Sequence, residues 1–127
     1  MPGNERGSSF RSCKVAERTS LSQYRSMWLF AMFDLPVDSQ RARRNYARFR
    51  KALLAEGFTM LQFSVYARFC GSEEAAAAYR NRVRRALPPE GEVRLLSVTD
   101  HQFGKMQVFL GKTRKAAEKP PEQLLLF

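Results

Sequence analysis

The sequence is poor in the residues that bind zinc or form disulfides. It contains two cysteines, Cys13 and Cys70, and a single histidine, His101. The cysteines lie far apart and belong to no CxxC pair or Cys/His cluster. We therefore expect two reduced thiols, with neither a zinc site nor a disulfide framework.

Long apolar segments are also absent. No run approaches the roughly eighteen apolar residues of a transmembrane helix, and the basic N-terminal stretch lacks the apolar core of a secretory signal. We therefore expect a cytoplasmic protein. A chain of 127 residues has room for one domain of ordinary size.

Acidic residues are scarce relative to basic ones. Twelve Asp and Glu stand against twenty-two Lys and Arg, which gives a net charge of +10 and a pI near 10.3. Such a balance on a small domain indicates a polyanionic partner, above all a nucleic acid. The alternative is a solvated basic surface that only keeps the protein soluble.

The chain divides into a polar beginning, a patterned centre and a basic end. Residues 1–26 are rich in serine and lack a hydrophobic period, so we expect a disordered extension. The domain proper is predicted to span 27–111, followed by a basic linker over 112–122 and a C-terminal strand over 123–127.

Hydrophobic spacing within the central segment alternates between strand and helix patterns. The apolar run Met27–Phe33 predicts a strand buried on both faces, and 58–69 predicts a bent strand or two short ones broken near Gln62–Ser64. Helices are predicted over 39–56 and from Ser72 to the Pro88-Pro89 stop, and further strands over 93–98 and 107–110. Two strand–helix–strand units of this length predict an α+β fold, the ferredoxin-like split βαβ sandwich with an added C-terminal strand.

The C-terminus carries a cluster of apolar residues that is expected to be buried against another part of the protein or against a partner. A free end with four bulky apolar residues is unfavourable unless a sheet edge pairs with it, either on the same protomer or on a partner chain. We expect these residues to bind a partner: Leu124, Leu125, Leu126 and Phe127.

Asp34 is the one candidate metal-binding and catalytic carboxylate. It ends the buried first strand just before a turn, where a carboxylate either caps the turn or binds a hard divalent cation. One aspartate makes a poor magnesium site, but a two-fold dimer supplies a second copy, and a bridging Mg²⁺ or Mn²⁺ would then polarise a phosphodiester and activate water.

Basic residues concentrate on the first predicted helix, and the second predicted helix and the linker add more. The second helix contributes Arg80, Arg82, Arg84 and Arg85. The three- and four-residue spacing on the first helix predicts a ridge that contacts a phosphate backbone. No set of side chains indicates base readout, and the RNA-recognition motif is missing. The candidate nucleic-acid-binding residues are Arg41, Arg43, Arg44, Arg48, Lys51, Lys112 and Arg114.

Four segments, in order, carry a resemblance to a known family. They read MFDLPV (32–37), GFTMLQFSVY (57–66), PPEGEV (88–93) and QFGKM (102–106). The region 27–127 resembles CRISPR-associated protein 2, in particular the variety that accompanies Cas9-type systems. Many members have Tyr before the aspartate that ends the first strand, whereas this chain has Phe33, one polar group fewer near the carboxylate.

The resemblance implies a ferredoxin-like homodimer that bridges two dimers of the integrase, CRISPR-associated protein 1. The assembly captures double-stranded DNA and inserts it into the CRISPR array. Some members are described as Mg²⁺-dependent endonucleases on RNA or double-stranded DNA that use the residue matching Asp34. The alternatives are thus a DNA-binding adaptation subunit, a nuclease acting alone or like a toxin-type ribonuclease, and an unrelated ferredoxin-like RNA binder.

Overall fold

The computed structural model describes residues 24–120. Within this range the chain forms a four-stranded sheet, two long helices, one short helix and a small hairpin. Most of the predicted N-terminal extension (1–23) and the whole predicted C-terminal strand (123–127) lie outside the described residues.

The first strand, β1 (Met27–Asp34), is an inner strand of the sheet and matches the predicted buried strand. It pairs antiparallel with β3 on one side and with β4 on the other, so its backbone groups are satisfied along both edges. Successive side chains alternate between the two faces, and both faces are covered over most of its length.

Helix α1 (Gln40–Ala55) forms where the three- and four-residue spacing predicts it. The Ser39 hydroxyl caps its first turn by accepting from the Ala42 amide at 3.0 Å. After the helix, Gly57 adopts a φ of +85°, which a residue with a side chain rarely tolerates, and the chain turns into the next strand.

The long apolar stretch that follows is two short strands, the second of the two predicted alternatives. Strands β2 (Thr59–Gln62) and β3 (Val65–Cys70) pair antiparallel, with an irregular register between Met60 and Gln62. The chain reverses at Phe63 and Ser64, and Ser64 has a φ of 63°.

Helix α2 (Glu73–Arg85) and strand β4 (Glu92–Thr99) complete the second strand–helix–strand unit. Ser72 caps α2 by accepting from the Ala75 amide at 3.1 Å. The strand order in the sheet is β2-β3-β1-β4 with every neighbouring pair antiparallel. Each helix therefore joins two parallel strands that another strand separates, which confirms the ferredoxin-like split βαβ fold.

Different elements pack on the two faces of the sheet. On one face, α1 and α2 bury the main core, in which Phe49, Leu53 and Val83 pack against Leu29 and Tyr66. The opposite face carries a smaller cluster of Trp28, Ala67 and Phe103. Phe103 comes from the short helix α3 (Asp100–Gly104) and its ring stacks on Trp28 at 3.9 Å.

Two boundaries differ from the sequence prediction. Strand β5 (Val108–Leu110), predicted as a strand of the domain, pairs only with β6 (Thr113–Lys115), which falls in the predicted linker. Gly111 supplies the positive φ that closes this two-residue hairpin turn. At the other end, Ser26 is buried and its carbonyl accepts from the Asp100 amide at 2.8 Å, so the fold begins before Met27.

No helix within residues 24–120 is long and apolar enough to cross a membrane.

Candidate nucleic-acid interface and metal-binding carboxylate

Asp34 lies at the end of β1 with its side chain exposed to solvent. Ser39, not Asp34, caps α1, and the Asp34 carboxylate has no hydrogen bond or ion pair within the described part of the chain. The capping role considered from the sequence is therefore filled by another residue. An exposed carboxylate with no structural partner is free to bind a ligand.

The start of β4 is fitted closely against Asp34. Gly91 has a φ of +97°, and a Cβ atom at this position would lie 2.9 Å from the Asp34 carbonyl oxygen and 2.6 Å from Cδ2 of Leu35. This close approach places Glu92 directly opposite Asp34 in the β1–β4 register. Two acidic residues thus stand side by side at the end of the sheet.

The pair does not complete a metal site within one chain. Glu92 already accepts from Arg94 at 2.7 Å, and no group of three or more His, Cys, Asp or Glu side chains suits a metal ion among residues 24–120. A hard divalent cation takes six or more oxygen ligands, usually with water among them. The residues therefore fit a metal only if further oxygen ligands come from a second protomer, from substrate phosphate or from water.

Phe33 stands where many members of the family that the sequence resembles have tyrosine. Its ring points away from Asp34 into the helix-side core. It is buried and makes edge contacts with Phe49 at 5.1 Å and with Tyr46 at 5.8 Å. Since neighbouring residues of a strand face opposite sides, the missing hydroxyl leaves the exposed face around Asp34 unchanged.

The predicted basic ridge lies on the outer face of α1. At 3.6 residues per turn, the ridge is centred about 140° from the buried stripe of Ala42, Phe49 and Leu53. Its members are exposed, and none has an ion pair or side-chain hydrogen bond in the described structure. These residues are Arg41, Arg44, Arg48 and Lys51. Four unpaired cations on one helix face can contact successive phosphates.

Arg43 lies beside this ridge rather than on it. It is exposed, and its guanidinium donates to the Val37 carbonyl at 3.2 Å, close to the turn that follows Asp34. The structure thus places Arg43 near the carboxyl end of β1.

The two predicted binding residues beyond α1 belong to another part of the surface. Lys112 lies in the turn of the β5–β6 hairpin and Arg114 in β6, and both are exposed. The hairpin borders a cavity with Phe30 and Leu61 on the sheet face opposite the long helices. The structure therefore does not join these two cations to the α1 ridge. The predicted partner-binding residues Leu124, Leu125, Leu126 and Phe127 lie outside the described residues.

Cys70 is not a candidate nucleophile. Its side chain is buried in the main core, and burial raises the pKa of the thiol, while the nearby Arg68 guanidinium opposes part of that rise. The thiol therefore stays protonated near neutral pH.

Sequence patterns alone did not reveal two features near Asp34. Glu92 faces Asp34 only because β4 joins the sheet beside β1. Local residue spacing does not predict that strand order. Phe63 falls within the break predicted near Gln62–Ser64, but no pattern predicted that its ring would be 79% exposed. That break was the one available signal.

Comparison with known proteins supports a single assignment. The family model for CRISPR associated protein Cas2 matches residues 27–106. The chain is 52% identical over 101 residues to a CRISPR-associated endoribonuclease Cas2 of Parvibaculum lavamentivorans, covering 80% of this chain and 100% of that protein. It is 46% identical over 109 residues to the protein of the same name from Flavobacterium psychrophilum, covering 86% and 95%. Identity and coverage at these levels show that the chain belongs to the CRISPR-associated Cas2 family.

Proposed function

We propose that this chain is the nucleic-acid-binding subunit of a CRISPR adaptation complex. In this role a basic homodimer binds double-stranded DNA and bridges integrase dimers of CRISPR-associated protein 1 during spacer acquisition in antiviral defence. The observation that carries the proposal is the row of unpaired cations on α1 in a member of this family. A folded domain gains little by leaving four like charges together without counter-ions, whereas a phosphate backbone neutralises them.

The proposed assembly uses the apolar C-terminus as its contact. Leu124, Leu125, Leu126 and Phe127 follow a polar segment, so they can reach a sheet edge on a partner chain. Deleting 123–127 should weaken integrase association in a pull-down with the two purified proteins. Unchanged association would assign the contact to another surface.

Spacer acquisition in cells tests the proposed role. Combined charge reversal of Arg41, Arg44 and Arg48 should abolish acquisition, since the ridge would then repel DNA. Asp34→Ala should leave acquisition intact, because in this role the carboxylate has no part. Loss of acquisition by Asp34→Ala, with the complex still assembled, would contradict a purely architectural subunit.

A second function is favoured by the free carboxylate of Asp34 and by the relatives, which are named endoribonucleases. We propose that the chain also hydrolyses phosphodiester bonds, with RNA as the first substrate to test and Mg²⁺ or Mn²⁺ as cofactor. Asp34 and the partner subunit's Asp34 would hold the metal, which would polarise the phosphodiester and activate water when bound. The ridge cations would hold the flanking phosphates.

Metal binding and cleavage test this second function separately. Asp34→Asn keeps the size of the side chain but removes its charge, so it should abolish Mn²⁺ binding measured by calorimetry and RNA cleavage together. Asp38→Asn is the matched control, because Asp38 is also exposed and without a side-chain partner in the described structure. Metal binding that survives in Asp34→Asn would exclude Asp34 as the ligand.

Mixing experiments test whether both copies are needed. If one metal bridges two Asp34 carboxylates, an equal mixture of wild type and Asp34→Asn, reassociated at random, should keep about a quarter of the activity. Retention of about half would show that each protomer acts alone.

A further inference from the structure

Phe63 is the most exposed of the large hydrophobic side chains in the described residues, with 79% of its surface open to solvent. It occupies the turn between β2 and β3. The Ser64 carbonyl accepts from the Phe33 amide at 3.1 Å, which fixes this turn one residue from Asp34 along β1. The turn that carries the exposed ring therefore lies at the carboxyl end of β1, which Asp34 ends. The ring packs on the helix side of the sheet, whereas the Asp34 side chain points to the opposite face.

The Phe63 ring is held on one side and open on the other. It stacks on Tyr46 of α1 at a centroid distance of 6.1 Å and an angle of 20°. Tyr46 is itself fixed by an edge contact with Phe33 and by a hydrogen bond of 3.3 Å between its hydroxyl and the Ser64 hydroxyl. A rigidly supported ring with a free face is what base stacking requires.

Two arginines flank this ring pair. Arg43 and Arg50 are three residues before and four residues after Tyr46, so they lie beside it on the helix surface. Each makes one hydrogen bond to a neutral oxygen, Arg43 to the Val37 carbonyl at 3.2 Å and Arg50 to the Tyr66 hydroxyl at 2.9 Å. Neither has an acidic partner in the described structure, so their remaining N–H groups can bind phosphate.

We propose that Phe63, supported by Tyr46, is a stacking platform for an unpaired nucleobase, with Arg43 and Arg50 binding the adjoining phosphates. This inference rests on the proposed nucleic-acid binding and adds to it a preference for unpaired bases over duplex. The α1 ridge accepts any phosphate backbone, whereas an exposed ring gains from a base only where that base is free of its partner strand. A frayed end or a single strand would thus be held against α1, near the carboxyl end of β1.

Single-strand and duplex affinities of the full chain test the platform, measured in EDTA so that no cleavage occurs. Phe63→Ala should weaken binding of a labelled single strand by about 10-fold or more, as expected for loss of one stacked base. Binding of a blunt duplex of the same length should not change. Phe63→Trp should restore single-strand affinity, and 2-aminopurine in the single strand should be quenched by wild type but not by Phe63→Ala.

Phe109→Ala is the matched control, since Phe109 is also an exposed phenylalanine but lies in the β5–β6 hairpin. Because both side chains are exposed, both variants should keep the melting temperature of wild type. Equal single-strand affinity of Phe63→Ala and wild type would overturn the platform while leaving the ridge untouched.

Two other outcomes also decide the question. If Phe63→Ala converts a dimer to a monomer at the same concentration, Phe63 belongs to a protein interface and the platform is wrong. If wild type binds neither single strand nor duplex, the proposed function fails as well. If ridge variants lower affinity and Phe63→Ala does not, the platform is wrong while the proposed function stands.

Discussion

The two long helices of this domain carry similar numbers of arginines but place them in opposite ways relative to the helix dipole. Helix α2 has Glu73 and Glu74 in its first turn and three arginines in its last turn, the arrangement that the dipole favours. Helix α1 has no acid in its first turn and no basic residue in its last turn. Its cations begin at Arg41, near the positive end of the dipole.

The side-chain partners differ in the same sense. Arg80 of α2 donates to the Ser97 hydroxyl at 2.6 Å, and Arg82 pairs with Glu56 at 3.2 Å. The ridge cations of α1 have no such partners in the described structure. We infer that α2 uses part of its charge to stabilise the fold. The ridge cations of α1 make no such contribution, which agrees with the nucleic-acid binding proposed for them.

The largest expected effect is on nucleic-acid affinity. Changing Arg41, Arg44 and Arg48 of α1 to Glu should lower affinity for duplex DNA on the order of 100-fold at low salt, because three attractive interactions with phosphate become repulsive. Fluorescence anisotropy measures this change. Since these side chains are exposed and unpaired, circular dichroism should show an unchanged fold, and undiminished affinity would remove the functional distinction between the helices.

The second effect should appear in stability and not in binding. Arg80→Ala on α2 removes the hydrogen bond to Ser97 and a weak pairing with Glu73, so the free energy of unfolding should fall by about 1 kcal/mol. Urea denaturation measures the decrease, and duplex affinity should stay at the wild-type value. A fall in affinity as large as that of a single α1 variant would place Arg80 in the interface.

The smallest expected effect raises stability while it lowers nucleic-acid affinity. Arg41→Glu places an acid in the first turn of α1, where the dipole favours it, so the free energy of unfolding should rise by about 0.5 kcal/mol. The same change should lower nucleic-acid affinity, because a ridge cation becomes an anion. A variant with lower stability as well as lower affinity would indicate that Arg41 supports the fold.

The main elements of this fold follow from local sequence patterns. Ser39 and Ser72 cap helices that show three- and four-residue apolar spacing. The apolar run from Met27 is short and followed by Pro36, which favours a buried strand. These signals are local, since caps and periodicity act within a few residues. For that reason they predicted α1, α2 and the central strands.

Features that depend on distant contacts were not predictable in the same way. Helix α3 contributes Phe103 to stack on Trp28, which lies far away in the sequence, and β5 turns back onto β6 instead of joining the sheet. The candidate site divides likewise. The position of Asp34 at a strand end is visible in the sequence, whereas the opposing Glu92 and the exposed Phe63 depend on strand order and on a turn at positive φ.

The salt dependence of duplex binding tests the contrast between the helices most directly. For wild type, the logarithm of the binding constant should fall linearly with the logarithm of salt concentration. Replacing Arg41, Arg44 and Arg48 of α1 by Ala should make that slope shallower by about 0.9 for each phosphate that the protein no longer neutralises, or about 3 in total. Replacing Arg80 and Arg82 of α2 by Ala should leave the slope unchanged. Equal slopes for the two variants would contradict the assignment of nucleic-acid binding to α1.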